Sequence, residues 1–371
     1  MQSGFQQGDA FGQGLLCRLN STSPKQVVTK KEFVMKKTAG KMVQGLVVSA
    51  ALCGAWIGHN ASAQGVVQTR ELSPAAPNDN TPSPEQWKAI GKTFTFEGHN
   101  VFYVDQGSGT AIVALHGYPT SSWDFRRIAA PMAQNARFIA PDLLGFGYSA
   151  KPADYAYSIG KHADLVVALT RQLALTKVRL IGSDIGNAVV QELLARERET
   201  KLPFTIESVV LINGSLFAEQ FQPTSTQKAL LSPMGGMVNR AASQDTFVGG
   251  LSQTTGPEKR ISNGDWVAAW TLLNYPNDSR LAHKILPTVA ERESNDARWT
   301  DALCRSAVPL KMIVGKADPT GGKQMLVATA QKCGNGRNVS GLEIEKSGHF
   351  PHLEYPAETA NAILTWRAGG Y

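Results

Sequence analysis

The segment Gly182-Ser183-Asp184-Ile185-Gly186 holds two adjacent side chains able to form a covalent intermediate, a hydroxyl and a carboxylate. It follows the apolar run 178–181 and precedes a helical pattern over 187–198, so it reads as a sharp strand-to-helix turn. Such a turn lifts one side chain above a sheet and needs small residues two positions to either side. Around Ser183 those positions hold Ile181 and Ile185. Around Asp184 they hold Gly182 and Gly186. The spacing therefore selects Asp184 as the nucleophile. Asp318 ends the turn Gly315-Lys316-Ala317-Asp318 after the run 310–314, and His349 lies in Ser347-Gly348-His349-Phe350 after the run 341–346. Nucleophile, acid, histidine is the chain order of a carboxylate-oriented imidazole base on an α/β sheet. His352 is a rival base, and Asp318 also fits a turn or helix-cap aspartate. In His116-Gly117-Tyr118-Pro119, after the run 111–115, the backbone N–H of Tyr118 can stand beside that of Ile185 as an oxyanion hole. His116 itself reads as a structural turn residue.

The elements that must position these groups alternate. Strand patterns at 93–97 and 101–105 form a hairpin around Gly98-His99-Asn100. Strands follow at 111–115, 137–140, 178–182, 208–212, 310–314 and 341–346. Helices lie between them at 123–134, 158–175, 187–198, 323–332 and 358–367. The helix 158–175 shows Leu165, Val166, Leu169 and Leu173 at helical spacing. This alternation predicts an α/β fold, a mostly parallel central sheet with helices on both faces. Residues 215–300 carry helical and loop signals without a strand. A segment that long is a helical cap, inserted after the sixth strand, over the crevice at the carboxyl ends of the strands.

Composition supports one globular chain: 371 residues, 42% hydrophobic and 18% charged. The net charge of +7 misleads. Residues 1–63 hold seven basic and two acidic residues, a net of +5, which leaves +2 for the rest. There is no basic, aromatic-laced stripe, so no nucleic-acid partner is expected. Residues 1–63 read as a leader with a signal peptide. Lys36, Lys37 and Lys41 precede a mostly apolar stretch over 42–58 and the small-residue site Ala61-Ser62-Ala63. Met35 reads as the true start. This predicts export to the periplasm or outside, cleavage after Ala63, and no membrane partner beyond the export machinery; a retained membrane anchor is the less favoured reading. Residues 64–91, with four prolines, read as a linker, with packed structure beginning near Lys92. The core is then 92–214 with 301–371, and the cap 215–300. Cys304 and Cys333 fit either a disulfide or two buried thiols. No metal and no cofactor are expected.

On these motifs, residues 92–371 resemble the α/β-hydrolase superfamily, in its aspartate-nucleophile branch of epoxide hydrolases and haloalkane dehalogenases. His116-Gly117-Tyr118-Pro119-Thr120-Ser121-Ser122 resembles the branch's H-G-x-P-x-x-S turn. The run Asp142-Leu143-Leu144-Gly145-Phe146-Gly147-Tyr148-Ser149 resembles its D-x-x-G-x-G-x-S loop. Within the branch the likeness is to the mesoderm-specific transcript proteins, which share these segments, Gln191-Glu192-Leu193-Leu194 and Asn213-Gly214. The resemblance implies an alkyl-enzyme ester on Asp184, hydrolysed by a water that His349 activates with Asp318 behind it.

Dehalogenases of this branch hold halide with a tryptophan after the nucleophile and a donor in the H-G-x-P turn. Ile185 and Tyr118 occupy those positions here. Trp266, Trp270 and Trp299 are possible substitutes, or core residues. Epoxide hydrolases use two cap tyrosines as acids; residues 215–300 contain only Tyr275. The expectation is therefore epoxide-hydrolase-like chemistry on a small apolar organic substrate. Halide release is the alternative, and a degenerate binding protein the second.

Overall fold

A computed structural model of the chain describes residues 67–68 and 81–366, apart from 222, 277 and 335–338. The leader, its start at Met35 and its cleavage pattern lie outside these residues. The strands are β1 Val67–Gln68, β2 Gly91–Phe96, β3 His99–Gln106, β4 Ala111–Leu115, β5 Arg137–Pro141, β6 Lys177–Ser183, β7 Thr205–Ile212, β8 Leu310–Gly315 and β9 Val339–Ile344. They form one sheet in the order β1-β9-β8-β7-β6-β4-β5-β3-β2. β2 and β3 pair antiparallel, as do β3 and β5; every other pairing is parallel. All of β4 is buried, as a central parallel strand covered on both faces must be. Two apolar cores fill the two sides of the sheet. One contains Leu115, Leu180 and Val190 and the other Ile112, Ile181 and Phe138.

The mostly parallel α/β architecture matches the expectation, with three corrections of detail. β1 precedes the expected strands, so the cap follows the seventh strand. Packed structure begins before Lys92, because Pro84–Ala89 is a helix. Ser83 and Gln86 close a reciprocal capping box around its start, with Pro84 in the first turn. Trp87 anchors this helix, 1% exposed, with its indole N–H donating to Ser122 Oγ at 3.0 Å. A proline read as linker was thus a helix starter. Finally, position 300 is no boundary. It falls inside the helix Pro287–Arg305, whose indole Trp299 and guanidinium Arg298 both bind Glu192 on the helix Ile185–Glu199.

The insertion is helical, as expected: Ser225–Leu231, Gly235–Ala241, Gln244–Ser252, Asn263–Asn274 and Ala282–Ile285 precede Pro287–Arg305. Thr224, Ser243 and Ser262 each close a capping box with the residue three further on, so three of these starts are written locally. Cys304 and Cys333 are disulfide-bonded, Cα to Cα 4.9 Å, joining Pro287–Arg305 to the helix Met325–Cys333.

Candidate active site

Asp184 stands between β6 and the helix Ile185–Glu199 with φ 52° and ψ −112°, a left-handed conformation that a non-glycine residue rarely adopts. Small neighbours permit it. A Cβ on Gly186 would lie 2.1 Å from the Leu115 carbonyl oxygen. One on Gly182 would lie 2.8 Å from the Gly186 backbone. The spacing argument for Asp184 over Ser183 therefore has a steric basis.

The Asp184 Oδ1 accepts the Tyr118 backbone N–H at 2.9 Å, and its Oδ2 lies 3.7 Å from His349 Nε2. The second contact is one between charges rather than a hydrogen bond. His349 Nδ1 sits 3.0 Å from Asp318 Oδ2 and 2.8 Å from Thr320 Oγ1. Asp318 is fully buried. It accepts the Thr320 N–H at 2.8 Å, the Thr320 hydroxyl at 2.7 Å and the Gly322 N–H at 3.1 Å. With the Thr320 hydroxyl donating to Asp318, its oxygen is left to accept from Nδ1–H. That fixes the tautomer with Nε2 facing Asp184.

The electrostatics follow. Burial pushes the Asp184 carboxyl up, but the imidazole of His349 and the N–H groups of Tyr118 and Ile185 outweigh it, and the pKa is lowered. Burial also opposes charge on His349. Asp318 and Asp184 overcome this and raise its pKa well above the ordinary value. Asp318 is lowered: burial is outweighed by His349 and then by Thr320. The two carboxylates therefore favour the charged form of the imidazole between them.

Asn213, at the end of β7, ties these loops together. Its amide donates to the Gly348 carbonyl at 2.7 Å, its Oδ1 accepts the Gly315 N–H at 2.9 Å, and its carbonyl accepts the Asp184 N–H at 3.3 Å. His116 is structural, as read: Nε2 accepts the Leu143 N–H at 3.0 Å, so Nδ1–H donates to the Gly117 carbonyl. His352 is fully buried with both ring nitrogens unpartnered and packs beside Phe125, away from the cavity.

A cavity of about 630 Å³ opens above Asp184, between the strand ends and the cap. Its walls include Tyr118, His349, Phe221, Phe247, Trp270 and Arg292. Three expected cap residues are absent from it. Tyr275 lies outside; its hydroxyl accepts from Lys88 Nζ at 2.9 Å and its ring packs on Tyr148. Trp266, 1% exposed, packs behind Phe350. The Trp299 indole N–H is committed to Glu192 Oε2 at 2.8 Å. Trp270 alone of the named cap residues lines the cavity. Three residues were missed. Thr320 had a weak signal, a hydroxyl two residues after Asp318. The Tyr118 side chain was passed over for its backbone. Arg292, between Glu291 and Glu293, looks in the sequence like part of a solvated helix face.

A carboxylate at a strained strand-to-helix turn, a histidine–aspartate pair and a capped crevice on this sheet fit a hydrolase architecture. The chain belongs to the α/β-hydrolase fold family, whose model matches residues 110–356. It is 33% identical over 300 residues to the mesoderm-specific transcript homolog protein of Bos taurus, covering 78% of this chain and 89% of that one. To the putative hydrolase LipZ of Mycobacterium tuberculosis it is 31% identical over 297 residues, 77% of this chain and 98% of that one. The solved structure of the epoxide hydrolase CorEH shares the fold, with a TM-score of 0.61 at 21% identity, covering 74% of this chain and 96% of that one. The protein is an α/β-fold hydrolase.

Proposed function

We propose that this hydrolase opens an epoxide by attack of Asp184 and then hydrolyses the resulting ester. The observation that carries the reading is the carboxylate at the elbow tip, with one oxygen on the Tyr118 N–H and the other facing His349 Nε2. A carboxylate attacking an ester carbonyl would give a mixed anhydride, so attack at an sp³ carbon suits it better.

In the first step an Asp184 oxygen bonds to a ring carbon, and the ring C–O bond breaks with its electron pair on oxygen. That oxygen takes a proton from the Tyr118 hydroxyl. Among the described residues this hydroxyl has no hydrogen-bond partner, and it belongs to a cavity-lining residue. Burial, then the charge of Asp184, raises its pKa, so it holds its proton as a donor. Esterification removes the negative charge of Asp184. The imidazolium of His349 loses part of its support, releases its proton and restores the phenol. Neutral His349 then takes a proton from a water attacking the ester carbonyl carbon. The Tyr118 and Ile185 N–H groups stabilise the tetrahedral oxyanion. Collapse expels the alkoxide, which takes the proton held by His349 and leaves as the diol; the acid proton left on Asp184 then passes to the neutral His349, returning the carboxylate and the imidazolium. Water's oxygen remains in Asp184.

A His349→Gln variant with excess styrene oxide should gain the mass of one styrene oxide, mapped to Asp184. Attachment at Ser183, or diol release by Asp184→Ala, would overturn the reading. Halide release is the second reading, favoured by Trp270 on the cavity wall, and 1-bromobutane with halide detection tests it. The leader motif and the Cys304–Cys333 bond support an exported enzyme, cleaved after Ala63.

A further inference from the structure

Arg292 is 5% exposed, lies on the helix Pro287–Arg305 and lines the cavity above Asp184. Among the described residues it forms no ion pair. Its Nη1 donates to two neutral acceptors, Gln191 Oε1 at 2.7 Å and the Leu216 carbonyl at 2.8 Å. Nε and Nη2 have no protein acceptor, yet neither is among the sealed, unpartnered atoms. Burial lowers its pKa to about 10, with Asp184 and Asp296 opposing, so it stays cationic at neutral pH. A buried cation without a carboxylate partner costs several kcal/mol unless an anion reaches it. Arg280 and Arg298 of the cap, by contrast, each have a carboxylate within 4 Å.

Thr288 lies one helical turn earlier on the same face and also lines the cavity. It is 1% exposed, and its hydroxyl has no partner. An unpaired guanidinium edge and, one turn away, a buried orphan hydroxyl thus belong to a lining that holds Phe221, Phe247 and Val289 beside neutral polar side chains such as Gln227 and Asn274.

Resting on the Asp184 ester reading, we propose that Arg292 and Thr288 bind the carboxylate of the substrate, which is a small organic acid with an epoxide on an apolar body. The chemistry explains the need. Asp184 is itself anionic when it attacks, and an acid approaching it is repelled unless a cation holds its charge. The planar Nε–Nη2 edge of arginine matches a carboxylate through two parallel hydrogen bonds. The covalent step is the ring opening already described, with the carboxylate a spectator.

The test compares 3-phenylglycidate with 3-phenylglycidamide, which differ only in that charge. Wild-type enzyme should convert the acid with a kcat/KM about ten- to a hundred-fold above the amide, the range of a hydrogen bond to a charged group. Arg292→Gln should remove that preference, mainly through KM, and leave the amide within about threefold; Arg292→Lys should restore part of it. Thr288→Val should lower the acid alone by a smaller factor. Equal use of acid and amide by wild type overturns the inference while the ester on Asp184 still forms. Equal loss of both substrates in Arg292→Gln also overturns it, since the guanidinium would then serve Asp184 or the leaving oxygen. If neither epoxide alkylates Asp184, binding of phenylacetate over phenylacetamide, followed by calorimetry and abolished in Arg292→Gln, upholds the carboxylate site while the covalent reading falls. Should Arg292→Gln fail to fold, the wild-type comparison and Thr288→Val still decide.

Discussion

The floor of the cavity and its roof are built on different principles. The floor is made of strand ends. Asp184, Asp318 and His349 follow β6, β8 and β9, and backbone geometry fixes where each side chain starts. The roof is made of helices whose inward side chains, Arg292, Thr288 and Trp270, are selected by how those helices pack. The floor places charge within 4 Å of charge. The roof turns a buried cation, Arg292, toward the cavity with no carboxylate paired to it among the described residues. On the proposed reading the floor defines the reaction and the roof the substrate.

The sharpest way to break this division is to remove the floor's carboxylate. Asp184→Ala should lower turnover by at least about 10⁴-fold, in the range seen when a covalent nucleophile is deleted. Ser183→Ala, one residue away, should keep most of it, and diol release under identical conditions measures both. Comparable loss in Ser183→Ala would return the chemistry to the hydroxyl.

His349→Gln comes next. Hydrolysis of the ester should fall about 10³-fold while its formation persists, so stopped-flow and intact mass separate the steps. Both steps slow as pH falls, but over different ranges. Ester formation needs an ionised Asp184, whose pKa is lowered, and should stay flat on the acid side until below the usual carboxylate range. Hydrolysis needs a neutral His349 and should fall as pH drops, from a pKa lower than that of the resting imidazolium. Stability follows the resting state. The raised His349 value stabilises the fold fully below about pH 6.5 and is lost as pH climbs through it. The lowered Asp318 value contributes above about pH 3.9 and is lost as pH falls. The wild-type advantage over His349→Gln should therefore be largest between those limits.

Much of the floor was legible because its signals are local. Gly182 is demanded by contact with Gly186 inside the turn and Gly186 by the Leu115 carbonyl of β4 beside it, and both read in the sequence as small residues flanking the turn; Asp318 and His349 stand at the ends of apolar strand runs. The roof was not. Tyr275 was singled out because residues 215–300 hold no other tyrosine, but it ends the helix Asn263–Asn274 on the outer side, against Lys88 and Tyr148. Arg292 sits between two glutamates and has no periodic mark of burial; only the packing of its helix against Ile185–Glu199 makes it an inner residue. The same holds for Trp87, whose helix was hidden among prolines until its indole met Ser122.

Tyr118 tests where floor and roof meet. Tyr118→Phe keeps the backbone N–H on Asp184 and deletes only the proton donor. Ring opening should slow about ten- to a hundred-fold, with ester hydrolysis unchanged. Glu354 tests how the two are fastened. Its buried carboxylate accepts the N–H groups of Gly256 in the cap at 2.6 Å, and of Gly348 and Phe350 beside His349 at 3.1 and 3.2 Å. Glu354→Gln turns an amide N–H₂ against one of these donors. Urea unfolding should register a loss of about 1–3 kcal/mol, and turnover should fall roughly tenfold at most, since no reacting atom is touched.

The smallest effect is expected at Tyr275, the residue that composition alone would choose as the ring-opening acid. Its hydroxyl lies outside the cavity in a half-exposed contact with Lys88, and its ring keeps the Tyr148 packing in a phenylalanine variant. Removing such a surface hydrogen bond shifts stability within about 0.5 kcal/mol, and kcat/KM for styrene oxide should change by less than about twofold. A loss in Tyr275→Phe as large as that in Tyr118→Phe would mean that the roof rearranges around substrate to bring this hydroxyl inside. The division between a fixed floor and a selecting roof would then fail at its simplest point, because the roof would supply part of the reaction as well.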